Sequence, residues 1–96
     1  MREITEERLK KYFEVTSSAL KELEISVPED THLRDIAEDF LSMAKNYFRD
    51  AEYFYEKGDY VNAFGAINYA HGWLDAGARM GLFDVKGNHN LFTLLH

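Results

Sequence analysis

A chain of 96 residues fits one domain, which at that size can bury an adequate core without metal or disulfide support. It has no cysteine, so disulfide staples, thiolate metal centres and cysteine nucleophiles are excluded. The formal charge is −6 and the longest basic run is Lys10-Lys11, placed four residues after Glu6 and Glu7 where helical ion pairs would engage it. This argues against a nucleic-acid partner.

The N-terminal residues lack an apolar signal core, and no segment approaches the roughly 18 uncharged apolar residues of a membrane span. A cytoplasmic protein without membrane attachment is expected. In chain order, Thr5 is an N-cap candidate, and Leu9, Tyr12, Phe13, Thr16, Ala19, Leu20 and Leu23 recur at three- and four-residue steps. That spacing predicts a first helix over about 5–24. Pro28 interrupts the pattern, because it lacks a backbone donor and drives Val27 out of helical geometry.

A second and longest helix is expected over about 30–57, with Leu33, Ile36, Ala37, Phe40, Leu41, Ala44, Tyr47, Phe48, Ala51, Phe54 and Tyr55 on one broad face. Gly58-Asp59 reads as a helix stop followed by a helix start. The third helix should run over about 60–80 and turn Tyr60, Ala63, Phe64, Ala66, Ile67, Ala70, Trp73, Leu74 and Gly77 inward. Ala63, Ala66, Ala70 and Gly77 form a small-residue strip suited to close helix approach, whereas Gly65 and Gly72 fall on the opposite side. No strand pattern is visible. The fold class is therefore all-α, an up-and-down three-helix bundle forming a single domain over 1–96. An irregular apolar tail, 82–96, is expected to fold back over it, since an apolar patch of that kind is seldom left bare.

The segments Tyr47-Phe48-Arg49-Asp50-Ala51, Gly58-Asp59-Tyr60-Val61-Asn62-Ala63, Tyr69-Ala70-His71-Gly72-Trp73-Leu74-Asp75-Ala76-Gly77 and Arg79-Met80-Gly81-Leu82 resemble the short archaeal domain-of-unknown-function family 357. The resemblance implies a three-helix bundle and brings no established activity. The hairpin turning at Gly58-Asp59-Tyr60 is more distantly similar to tetratricopeptide helices, although no second repeat copy occurs, and to HEPN domains. HEPN nucleases place an arginine shortly before a histidine. Here Arg49 lies far upstream of His71 and Arg79 follows it.

Asn68, His71 and Asp75 share one edge of the third helix, Arg79 extends that edge by a turn, and Asp50 is a candidate to face them from the second helix. A histidine held by a carboxylate is suited to acid–base work near neutral pH, and equally to a hydrogen-bonded seam at the rim of a core. Glu29-Asp30-Thr31-His32 contains one Glu-X-X-His spacing, but carboxylate-bridged metal bundles need two such motifs, so neither metal nor cofactor is expected. Candidate surface residues are Tyr53, Tyr69, Met80, Phe83, Leu91 and Phe92. The functional expectation is a non-enzymatic interaction or scaffold module that binds another protein or a second copy of itself. The alternative is a small HEPN-like nucleotide-binding or hydrolytic domain using His71 and Asp75.

Overall fold

The computed structural model describes residues 5–87. Three helices, α1 (Glu6–Glu22), α2 (His32–Glu56) and α3 (Tyr60–Arg79), are joined by two short strands, β1 (Glu24–Ile25) and β2 (Phe83–Asp84). Each helix begins where a side chain accepts a bond from an otherwise unpaired amide. Thr5 caps α1 through Arg8 N at 3.1 Å, Thr31 caps α2 through Arg34 N at 3.1 Å, and Asp59 caps α3 through Asn62 N at 3.2 Å. Thr31 also donates its hydroxyl to Pro28 O at 2.7 Å, fixing the entry to α2. Gly58, at φ 76, supplies the left-handed residue that reverses the chain between α2 and α3.

The α2–α3 hairpin is the centre of the molecule. Ala37, Ala44 and Ala51 on α2 meet Ala63, Ala66, Ala70 and Gly77 on α3, and all are buried. Alanine at seven-residue spacing keeps a narrow seam facing one partner and lets the two backbones approach closely. Larger side chains collect at the two ends of this seam. One cluster joins Leu9, Ala51, Ala63, Ala66 and Ile67, and the other joins Ala19, Leu23, Ala37, Ala44, Leu74, Leu82, Phe83 and Val85.

The backbone of α1 lies against α3 far more than against α2. It reaches α2 through rings: Phe13 stands edge-on to Phe48 and to Tyr55, each at 5.7 Å. Tyr55 then donates its phenol to Glu6 Oε2 at 2.6 Å, and Lys10 Nζ lies 3.4 Å from the same oxygen. These contacts hold the Glu6 carboxyl below its ordinary range, through the phenol first and the ammonium second. The Tyr55 phenol is held above its ordinary range, because ionisation would break the bond to Glu6 and place two negative charges together.

Three features differ from the sequence expectation. α1 stops at Glu22, because Leu23 is extended (φ −77, ψ 153) and leads into β1, where an unbroken helix to about residue 24 was expected. The segment after α3 is not wholly irregular, since β2 pairs antiparallel with β1, Glu24 opposite Asp84 and Ile25 opposite Phe83. Ser26 extends this clasp by donating its amide to Leu82 O at 2.9 Å and its hydroxyl to Gly81 O at 2.8 Å, and Lys86 pairs with Glu24. Leu33, expected inward, is 51% exposed, because it sits in the first turn of α2 beyond the end of the alanine seam.

Leu82, Phe83 and Val85 are buried, so the start of the tail does fold back on the bundle. The expectation for the remainder of the tail, from residue 88 onward, lies outside the described residues. A side chain at Gly77 would overlap Phe83 Cε2 and Cδ2. Gly77→Ala is therefore expected to destabilise the fold by about 1–3 kcal/mol in urea titration, as overpacking does, even though alanine is the better helix former. The Glu6–Tyr55 bond carries its own sign. A carboxylate held below its ordinary range contributes stability above that range and loses the contribution as pH falls through its lowered value. In Glu6→Gln the spectroscopic ionisation of Tyr55 should move to lower pH than in the parent chain.

Candidate functional site

The polar centre of the molecule lies between α1 and α3. His71 projects from the flank of α3 that α1 covers, and its Nδ1 is 3.1 Å from Thr16 Oγ1. Its Nε2 is 3.4 Å from Oδ1 of Asp75, one turn further along α3. With the neutral ring carrying its proton on Nε2, that N–H donates to the carboxylate and Nδ1 accepts from the threonine hydroxyl. Thr16 is only 2% exposed, the one buried polar residue among those described, and the His71 and Asp75 side chains retain 18% and 21% exposure. No buried side-chain nitrogen or oxygen among the described residues lacks a partner.

This string of hydroxyl, imidazole and carboxylate has the composition of a proton-transfer device. Its geometry favours a tether. The hydroxyl is sealed in the α1–α3 contact, and both ring nitrogens already face protein atoms. Of the four sequence candidates, His71 and Asp75 are in direct contact. Asn68 is exposed and donates Nδ2 to Phe64 O at 3.0 Å, within its own helix. Asp50 is exposed on α2 one turn beyond Tyr47, whose ring stacks on Tyr69, so it belongs to the flank opposite His71. The contact recorded along the expected edge is that of His71 with Asp75. The third member of the string, Thr16, was read only as part of an apolar stripe. The signal available was its polarity among Leu9, Tyr12, Phe13 and Ala19.

Two grooves open elsewhere. One of about 410 Å³ is lined by Ile25, Glu38, Leu41, Ser42, Lys45, Asn46 and Arg49. Another of about 240 Å³ lies beside Lys10, Phe13 and Tyr55. Neither includes His71, Asp75, Asn68 or Asp50. Glu29 and His32 are exposed at the start of α2, and among the described residues no three His, Asp or Glu side chains are grouped to hold a metal ion.

Of the candidate surface residues, Tyr53 is exposed at 57%, Tyr69 at 65% and Met80 at 62%. Val61, which the sequence reading did not single out, is exposed at 71%. Tyr69 lies flat on Tyr47, centroids 5.3 Å apart and planes 22° apart. Phe83 is corrected: it is 4% exposed, its ring seated in the space that Gly77 leaves, and it belongs to the core. Leu91 and Phe92 lie outside the described residues.

If the Thr16–His71 contact is a structural tether, Thr16→Val keeps the shape and removes the hydroxyl. It should lower unfolding stability by about 1–2 kcal/mol, the range for leaving one partly buried hydrogen-bonding atom unmatched. Calorimetry of the two chains at neutral pH measures it.

Comparison with known proteins brings out one relationship. No helix among the described residues is long and apolar enough to cross a membrane. No curated protein and no solved structure matches the chain. A family described as a protein of unknown function, DUF357, matches residues 11–83, from the first turns of α1 to the buried Phe83. The chain belongs to the DUF357 family of proteins of unknown function.

Proposed function

We propose that this protein is a non-enzymatic interaction or scaffold module, working in the cytoplasm of an archaeal cell. The archaeal setting is drawn from the sequence resemblance, and the cytoplasmic one from the composition of the sequence. The observation that carries the interaction reading is the outer face of α3, where Val61, Tyr69 and Met80 are each more than 60% exposed. Large apolar side chains grouped on one face of a small acidic protein are a feature of association surfaces, in which aromatic residues and methionine are enriched. An interaction module needs no convergence of polar groups. The competing reading, a nucleotide-binding or hydrolytic domain built on His71 and Asp75, has their 3.4 Å contact in its favour. Against it stand the sealed hydroxyl of Thr16 and the engagement of the Asn68 amide with Phe64 O inside its own helix.

A photo-crosslinking amino acid placed at Tyr69 in the native host tests the proposal, with the same residue at the exposed Lys11 on α1 as reference. Position 69 should yield defined higher-mass adducts that position 11 does not. Equal labelling at the two positions, or none at either, removes the support that this face provides.

A further inference from the structure

Three glycines in α3 share one cost and have different compensation. Each weakens a helix by about 1 kcal/mol relative to alanine. Gly77 is required by the Phe83 ring. Gly65 and Gly72 have no such reason: an added Cβ at either meets nothing within 4 Å, and neither has a positive φ. Nothing inside the described chain calls for glycine there. A bare helix surface admits another backbone closely, which is a use that only a partner would draw on.

At about 100° per residue, Val61, Gly65, Tyr69, Gly72, Ala76 and Met80 fall on one face of α3. That face is turned away both from the alanine seam and from the flank carrying Phe64 and His71 against α1. We infer that it docks against the same face of a second copy of this chain, the two α3 helices running antiparallel about a two-fold axis beside residues 70 and 71. The inference rests on the interaction reading above and names the partner.

The residue pattern selects a second copy. Read from its two ends, the face is self-complementary in size. The two-fold axis sets Tyr69 over the partner's Gly72, Gly65 over the partner's Ala76, and Val61 against the partner's Met80. A large side chain thus meets a small one at the centre, as interdigitating helix surfaces require, and each contact occurs twice. A parallel arrangement would instead set Tyr69 on its own counterpart and bring the two Arg79 side chains together.

Charge points the same way. Copies of a chain with net charge −6 repel one another through most of their surface, yet this face carries no carboxylate. The antiparallel arrangement brings Arg79, in the last turn of α3, toward the Asp59 end of the partner's α3 and sets the helix dipoles head to tail. A helix of 20 residues spans about 30 Å, so the contact sits at the small end of stable interfaces and the dimer should dissociate on dilution.

Sedimentation of the full chain from micromolar to millimolar concentration is the test. The mass should rise from one chain toward two. Gly72→Leu should remain monomeric throughout, with an unfolding temperature equal to or above that of the parent, since its side chain enters open space and the glycine penalty is removed. An equimolar mixture of Gly65→Cys and Ala76→Cys chains should form disulfide dimers faster than either variant alone, and the chain has no other cysteine to interfere. A parent chain that stays monomeric at every concentration overturns the proposal, as does a Gly72→Leu variant that still dimerises or crosslinking that favours like with like. A monomeric parent chain whose position 69 still captures a different protein would reject the second copy while leaving the interaction reading standing.

Discussion

The close approach of α2 and α3 sets the terms for the rest of the molecule. Ala37, Ala44 and Ala51 present almost no side chain toward α3, and α3 answers with Ala63, Ala66, Ala70 and Gly77. Helices brought together in this way leave no room between them for rings, so the aromatic residues are displaced to the flanks. On one flank Phe13, Phe48 and Tyr55 seat α1, and Tyr12 closes edge-on to Phe64 at 5.1 Å. On the other, Phe40 meets Trp73 at 4.9 Å and Tyr47 stacks on Tyr69, with no helix of the described chain lying over them. One seam of small residues therefore produces both a covered flank and an open one.

The His71 bridge follows from that asymmetry. α1 is held mostly through α3, and its apolar stripe is short, with Leu9 and Ala19 its buried aliphatic members. A polar contact in the middle of the stripe fixes the rotation and register of α1 in a way that interchangeable methyl contacts do not. Thr16 does this by meeting an imidazole whose far nitrogen is held by Asp75. The same three groups would make a catalytic set if the hydroxyl faced a cavity. The enclosure of the hydroxyl suits a positioning role, one that explains why a polar residue occupies the apolar face of α1.

How much of this could be read from the sequence depends on the range of the interaction. Helix starts at Thr5 and Asp59 and the reversal at Gly58 were legible, because a cap or a left-handed glycine acts over three or four residues. The alanine seam was legible on α3, where periodicity is enough to assign a face. The clasp of β1 with β2 was not, since two residues on each side are too few to show an alternating pattern and their pairing depends on where α3 delivers the chain. The Thr16–His71 contact joins residues 55 apart in sequence, and only the packing of α1 on α3 brings them together. Phe83 was read as surface as part of the apolar tail, yet the space that Gly77 leaves beneath it decides its burial.

The glycines of α3 show how a residue type acquires meaning only from what surrounds it. In sequence Gly65, Gly72 and Gly77 are equivalent interruptions of a helix, each unfavourable by a similar amount. In the fold, Gly77 lies under an aromatic ring that any side chain would displace, so its cost is offset within the chain. Gly65 and Gly72 face open space on the same helix, where alanine would strengthen α3 without touching anything. Their compensation has to come from outside the described chain. Tyr69 stands between them on a face without a carboxylate, and a matching copy of that face offers what each member lacks: a recess for the ring and a close backbone for the bare turns.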